Sequence, residues 1–244
     1  MAANWIQNIV IDSNGDYWVA TTGGGITKFS PKDFDFINFS KPSKNRYAGK
    51  YVSKLARLGT EHIASLSDEG LSIFNIATNT HETLNISNLN KTMTSSGSLL
   101  WTIREENQLV LYNQETKTLK HKYTFGSPVQ LLKYIPNIGL LVSLSDKLIL
   151  FKGNGIQKEI ITPEKLIAFT SGSNGNYVLA STSGLFRFNP LTFKLDRIIS
   201  DIDNANLEIE TIFLDRQGTL WVGTNKGLYK EKVAERHFFP KQYP

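Results

Sequence analysis

Cysteine is absent from the 244 residues. That excludes disulfides, thiolate metal sites and cysteine nucleophiles together, and it leaves the compartment open, because many exported bacterial proteins also lack cysteine. No apolar run approaches the roughly 18 residues of a membrane-spanning helix. The amino-terminal MAANWIQNIV has no basic segment followed by a long apolar stretch, so no signal peptide is read. No stretch has a convincing helical period. Charge is not concentrated either. The net charge of +5 and the pI near 9.2 rest on lysines spread along the chain, without a basic helix or a block of like sign. A solvated surface accounts for that pattern, and neither nucleic acid nor direct membrane contact is expected.

Catalytic signatures are missing as well. The four histidines, His62, His81, His121 and His237, are far apart and in no metal-ligand spacing. GGGITK and GTNKG are glycine-rich but fail the phosphate-loop spacing and lack its strand-then-helix context. SGSNG (171–175) lacks the Gly-x-Ser-x-Gly spacing of a nucleophile elbow. The acidic clusters DEG (68–70) and REEN (104–107) look like exposed hairpin turns. No catalytic residue, metal site or cofactor is assigned.

What the chain does contain is a repeated phrase. SNGDYWVATTGGGITKF (13–29), SNGNYVLASTSGLFRF (173–188) and DRQGTLWVGTNKGLYK (215–230) share a turn, an apolar strand, a glycine and a second strand. Aligning the copies on Trp18, Ile63, Trp101, Leu141, Val178 and Trp221 gives spacings of 45, 38, 40, 37 and 43 residues, hence six copies. Within a copy, NIVID (8–12) or TIFLD (211–215) reads as a first strand. Asn-Gly then supplies the positive φ of a two-residue hairpin turn. DYWVAT or TLWVGT is the second strand, and ITKF, LFRF or GLYK the third. FDFINF (34–39), HETLNI (81–86), LKHKYTF (119–125) and FKLDRII (193–199) suggest a variable fourth strand, which RHFFP (236–240) supplies in the last copy.

Four short antiparallel strands in about 40 residues make one blade of a β-propeller. The expected fold is therefore all-β: a propeller of about six four-stranded blades, at approximately 5–44, 50–90, 97–126, 128–162, 165–204 and 207–241, or part of a larger propeller. A sheet this small cannot hide both faces, so neighbouring blades must bury them. The 4 Trp, 9 Tyr and 14 Phe supply the filler. Trp18, Trp101 and Trp221 are the expected inter-blade side chains. Asp12, Gly15, Gly25, Gly184, Asp215, Gly218 and Gly227 complete the structural repeat positions.

These phrases resemble the two-component regulator propeller repeat: a strand ending in Asp, a turn with Gly, a Trp-Val/Ile-Gly/Ala-Thr strand, then Gly-Leu-x-Lys/Arg-Phe/Tyr. The sixth copy matches at Asp215, Gly218, Leu220, Trp221, Gly223, Thr224, Gly227, Leu228 and Tyr229. The first matches at Asp12, Gly15, Trp18, Ala20, Thr21 and Gly25. The fifth matches at Gly175, Ala180, Thr182, Gly184, Leu185 and Phe188, with Val178 in the tryptophan place. The resemblance implies a non-enzymatic sensing or interaction propeller. Such a propeller is the periplasmic sensor part of a membrane-anchored two-component protein of Bacteroidetes type, responding to glycan fragments, and any kinase lies outside this stretch. A propeller glycosidase or lyase, and a protein-binding scaffold, are the alternatives. The chain begins and ends near repeat edges, which favours a piece of a longer protein. A homodimer or a neighbouring propeller is the expected partner.

Geometry selects candidate ligand-binding residues. Loops entering each first strand and loops joining second to third strands share one face of a propeller. Trp5, Arg46 and Tyr47 lie there, in ANWIQ (3–7) and KNRYAGK (44–50). Aromatic faces stack on sugar rings, and arginine pairs with carboxylate or sulfate.

Overall fold

In the computed structural model, residues 5–40, 49–84, 86, 88–172, 175–198, 207–232 and 237–240 are described, the last four and Lys232 by their backbone alone. They form an all-β β-propeller of six four-stranded antiparallel blades, each in plain sequence order. Blade 1 comprises β1 (Ile6–Ile11), β2 (Tyr17–Thr21), β3 (Gly25–Ser30) and β4 (Asp35–Phe39). Blade 2 comprises β5 (Val52–Leu58), β6 (His62–Ser67), β7 (Gly70–Asn75) and β8 (His81–Leu84), and blade 3 comprises β9 (Leu89–Ser96), β10 (Leu99–Arg104), β11 (Gln108–Asn113) and β12 (Thr118–Thr124). Blade 4 is β13 (Leu131–Ile135), β14 (Gly139–Ser143), β15 (Lys147–Lys152) and β16 (Gly155–Ile161). Blade 5 is β17 (Leu166–Ser171), β18 (Tyr177–Ser181), β19 (Leu185–Asn189) and β20 (Lys194–Ile198), and blade 6 is β21 (Ile209–Leu214), β22 (Leu220–Thr224), β23 (Gly227–Lys232) and β24 (His237–Pro240). Blades 1–3 form one compact unit, residues 1–127, and blades 4–6 a second, residues 128–244. Blade 3 begins earlier than the repeat spacing suggests, because β9 starts at Leu89.

Side chains alternate across each sheet, so within each unit the middle blade packs one face on the preceding blade and the other on the next. In the first unit, Trp18, Ala20, Ile26 and Phe39 of blade 1 meet Val52, Leu55, Ile63 and Phe74 of blade 2. The opposite face of blade 2, with Ala64, Leu66, Leu71 and Ile73, meets Met93, Leu100 and Tyr112 of blade 3. In the second unit, Ile135, Leu141, Leu148 and Leu150 of blade 4 meet Leu166, Leu179, Phe186 and Phe188 of blade 5. Ala180 and Leu185 of blade 5 then meet Ile209, Ile212, Leu220 and Val222 of blade 6. First strands of adjacent blades are also tied by hydrogen bonds, with the Leu55 amide donating to Asn8 Oδ1 (2.9 Å) and the Leu214 amide to Thr170 Oγ1 (3.2 Å).

Trp18 is fully buried, stacked on Phe39 at 5.4 Å and edge-on to Phe74 at 5.6 Å. Its Nε1 donates to Asp12 Oδ2 (2.7 Å), while Asp12 Oδ1 accepts the amides of Asn14 and Asp16. Blade 6 repeats the arrangement: Trp221 Nε1 donates to Asp215 Oδ2 (2.9 Å), and Asp215 Oδ1 accepts the amides of Gln217 and Thr219. The aspartate ending the first strand thus closes the turn and satisfies the indole that the second strand buries. A lysine lies over each indole, Lys28 at 5.5 Å and Lys230 at 5.1 Å. Trp221 and Trp101 are only half-buried.

Two expectations are corrected. Asn14 and Gly15 are not the two central residues of a tight hairpin. Ile11 pairs with Tyr17, the Gly15 amide bonds the Asp12 carbonyl, and in this loop only Gly15 takes a positive φ. This is a turn followed by one left-handed glycine, a longer loop than two residues. Nor does Ile63 occupy the tryptophan place in blade 2. Trp18 faces the next blade, whereas Ile63 faces the preceding one, and Ala64 takes the equivalent position. Strand side chains have a period of two, so a slip of one residue changes the face.

Replacing Trp18 with Ala removes the largest side chain of the blade 1–blade 2 core and should cost about 3–5 kcal/mol. The half-buried Trp221→Ala should cost clearly less. Urea unfolding of both variants measures the difference, and equal losses would contradict the burial reading.

Candidate ligand-binding face

The loops that enter first strands and those that join second to third strands do meet. In blade 1, the Thr22 amide donates to the Trp5 carbonyl (2.9 Å), and on the other side Thr22 forms an antiparallel bridge with Tyr51. The Gly23 and Gly25 amides donate to the Lys50 carbonyl (2.9 and 3.2 Å). Gly25 allows this approach: its φ is +73°, and a Cβ there would lie 2.4 Å from the Phe39 carbonyl oxygen. Gln7 Nε2 donates to Thr22 Oγ1 (2.8 Å). From the next loop, Asp68 Oδ1 accepts the amides of Lys50 and Tyr51, both at 3.0 Å.

This lacing fixes the backbone beneath two exposed aromatic side chains. Trp5 is 73% exposed and Tyr51 51%. Their chain segments flank the Thr22 segment, so two inter-strand spacings, roughly 10 Å, separate them. Lys50 Nζ lies 5.5 Å from the centre of the Tyr51 ring. Next to Tyr51, whose amide Asp68 holds, an open cleft of about 360 Å³ is lined by Ser67, Asp68, Glu69, Gly70, Ile86, Asn88 and Leu89. Chemically, the face offers two aromatic surfaces, an ammonium and several hydrogen-bonding groups.

Of the three residues that the sequence nominates, Trp5 lies on this face, while Arg46 and Tyr47 lie outside the described residues. Lys50, Tyr51 and Asp68 were missed. Lys50 closes the very segment that drew attention to Arg46 and Tyr47, and Tyr51 follows it directly. The sequence showed Asp68 as part of an exposed turn, which it is. That its carboxylate also reaches the amides 17 and 18 residues earlier is visible only in three dimensions.

The corresponding loops of blade 5 carry a polar cluster. Glu164 Oε2 accepts the hydroxyls of Ser181 and Ser183, and Arg197 Nη1 pairs with Oε1 at 2.8 Å. Arg197 Nη2 also donates to the Ser183 carbonyl (3.2 Å) and the guanidinium lies over Phe186. Gly184 leaves room for it, since a Cβ would stand 2.6 Å from Nη2. Burial opposes ionisation of Glu164, but the two hydroxyls and Arg197 outweigh it and lower its pKa. A carboxylate so occupied is a structural anchor rather than an acid or base. The remaining repeat glycines, Gly15, Gly218 and Gly227, have positive φ and open space around them. Among the described residues, no three acidic or histidine side chains lie close enough to share a metal ion, and no helix is long and apolar enough to cross a membrane.

The two-component regulator propeller pattern matches residues 1–23 and 204–226, the stretches that carry Asp12–Trp18 and Asp215–Trp221. Those two stretches carry the repeat pattern of that family. Among solved structures, one similar to it is the extracellular domain of a protein assigned as the hybrid two-component system BT4673 from B. thetaiotaomicron. The TM-score is 0.78 at 17% identity, over 99% of this chain and 34% of that one. A second is the corresponding domain of BT3049 from the same organism, with TM-score 0.77, 17% identity, and 100% and 36% coverage. The chain therefore spans about a third of the length of these two structures. A third is the Swd1 β-propeller domain of Myceliophteria thermophila, with TM-score 0.80 at 11% identity, covering 100% of this chain and 89% of that one. No curated protein sequence matches significantly.

The electrostatics of the propeller repeats predict a two-stage loss of stability with acid. Burial lowers the pKa of His62 and His81 below the ordinary 6.5. The unfolded chain then binds their protons first, so stability is unaffected well above pH 6.5 and declines as the pH falls through it. Asp215 is lowered from 3.8 by the Trp221 and Thr219 hydrogen bonds, and Glu164 lies below its ordinary 4.5. Their stabilisation is complete above those values and is lost as the pH falls through the lower folded ones. Urea midpoints between neutral pH and strong acid should show both stages. His81→Gln should shrink the first and Asp215→Asn the second, and a flat profile would refute the assignment.

Proposed function

We propose that this chain is a ligand-sensing propeller without catalytic activity of its own, the extracytoplasmic sensor part of a membrane-anchored two-component signalling protein. The propeller repeats and the likeness in fold to the BT4673 and BT3049 extracellular domains support this reading. The observation that carries the binding role is that Trp5 and Tyr51 are both exposed on segments that flank Thr22 and are laced to it by backbone hydrogen bonds. Here they sit on a rigid support, which limits the entropy lost on binding.

The ligand class we propose is a glycan fragment. The apolar face of a sugar ring stacks on an aromatic ring, its hydroxyls find Gln7, Asp68 and Asn88, and Lys50 favours a fragment carrying an acidic group.

The test is a screen of neutral and acidic oligosaccharides by thermal shift, followed by titration of tryptophan fluorescence. Trp18 is buried but Trp101 and Trp221 are half-buried, so Trp5→Phe serves as the control that assigns quenching to the exposed Trp5. Binding should weaken about tenfold or more in Trp5→Ala and measurably in Tyr51→Ala, the range of an aromatic anchor at an interface. The oligosaccharides should be recovered uncut. Cleavage of a glycan would favour the enzyme reading. Failure of every glycan together with tight capture of a protein partner would favour the scaffold.

A further inference from the structure

Trp5 and Tyr51 hold the same place in successive blades, and a third residue shares it. Each stands just before the first paired residue of its blade. Ile6 pairs with Thr21 in blade 1, Val52 with Ser67 in blade 2, and Leu89 with Arg104 in blade 3. In each blade, the amide that follows the second strand donates to the carbonyl at this place: Thr22 to Trp5 (2.9 Å), Asp68 to Tyr51 (3.3 Å) and Glu105 to Asn88 (2.9 Å). Asn88 is thus the blade 3 counterpart of the two aromatic residues, and it is exposed as they are. The contact between blades repeats too. A Cβ on Gly25 would stand 3.2 Å from the Gly49 carbonyl oxygen, two residues before Tyr51, and one on Gly70 3.4 Å from that of Ile86, two residues before Asn88. Trp5 and Tyr51 lie two inter-strand spacings apart, and the same step repeated to Asn88 gives a track of roughly 20 Å across blades 1–3. All of it lies within one compact unit.

The chemistry changes along the track. The first two places present aromatic rings, with the Lys50 ammonium near the second. The third presents a carboxamide, and the cleft around it adds Asp68, Glu69 and the aliphatic Ile86 and Leu89, with no lysine or arginine in its lining. Two of these groups have hydrogen-bonding capacity to spare. Asp68 Oδ1 is taken by the amides of Lys50 and Tyr51, while Asp68 Oδ2 and the Asn88 carboxamide bond no other described residue. A carboxylate oxygen accepts from a hydroxyl, and a carboxamide both donates and accepts. Blade 6 shows that the loop closure itself needs no charge at the Asp68 place. There Asn225 Oδ1 accepts the Glu208 amide (3.2 Å) and the Asn225 amide donates to the Glu208 carbonyl (3.1 Å), the same pair of bonds that Asp68 makes with Tyr51.

We propose that Asn88 and Asp68 form the polar end of a ligand track that starts at Trp5, so that this chain selects a linear oligosaccharide over the corresponding mono- and disaccharide. The inference rests on the glycan reading above and adds length, direction and charge to it. A single sugar ring is too short to touch two neighbouring places, and a disaccharide leaves the third place empty. Each further contact made by the same ligand is intramolecular, so it adds affinity without a second loss of overall freedom. Charge fixes the direction. An acidic group is favoured beside Lys50 and opposed in the cleft by Asp68 and Glu69, so the rings at the Asn88 end are neutral.

The test titrates the protein by calorimetry with ladders of one to six rings built from glucose, xylose, mannose and galacturonic acid. In at least one neutral ladder, affinity should rise about tenfold or more from the disaccharide to the hexasaccharide. That ratio is the readout. It should fall close to one in both Asn88→Ala and Asp68→Asn, the second of which keeps a loop closure of the kind Asn225 provides. Circular dichroism checks that both variants keep their sheet. A merely structural role would weaken both lengths equally and leave the ratio at its parent value, which overturns the proposal. A parent ratio near one, or a rise confined to the galacturonic acid ladder, overturns it as well. In these cases the glycan reading stands, since sugars still bind. If no ladder binds, the glycan reading fails and takes this inference with it.

Discussion

The structure depends on one kind of contact: the bulky face of one small sheet laid on the face of the next. A four-stranded sheet of five- or six-residue strands buries too little by itself to hold together. Trp18 between Phe39 and Phe74 shows how the contact is made, and Asp12 shows why it is specific. Burying an indole leaves its N–H without water, and a buried donor without an acceptor is costly. The aspartate that ends the first strand supplies the acceptor while its other oxygen closes the turn. One carboxylate therefore couples a local hairpin to a long-range interface, and the same pair recurs in blade 6.

The repeated wording is thus a packing device, and the loops between the strands are free to differ from copy to copy. The segments entering blades 1 and 2 hold Trp5, Lys50 and Tyr51 in the open. The equivalent loops of blade 5 spend Glu164, Ser181, Ser183 and Arg197 on one another. The same scaffold gives an exposed aromatic surface in one place and a self-satisfied cluster in another. The likeness to a Swd1 propeller at 11% identity makes the same point between proteins: packing rules define the wheel, and they do not define what it binds.

Much of the fold was legible beforehand because hairpins are local. Strands, glycine turns and the variable fourth strands follow from residues within about 40 positions of one another, and the outer strands at 35–39, 81–84, 118–124 and 194–198 fall within two residues of where the sequence places them. The errors have a common origin. Ile63 is as apolar as the position demands, but the pattern of a short buried strand, HIASLS, does not say which face each residue takes. Only pairing with β5 and β7 assigns Ile63 to blade 1 and Ala64 to blade 3. The candidate site was half legible for a related reason: an aromatic residue in a loop can be seen in a sequence, but its neighbours across the loop cannot.

By itself, then, the sequence determined an all-β chain of six repeated strand quartets, with large side chains and hairpin glycines in set places, because alternation and turn chemistry act over short distances. Tertiary structure alone decided which face each residue serves and that Asp68 reaches back to hold Lys50 and Tyr51. Those outcomes depend on which sheet lies against which, and burial is a property of neighbours rather than of the residue buried.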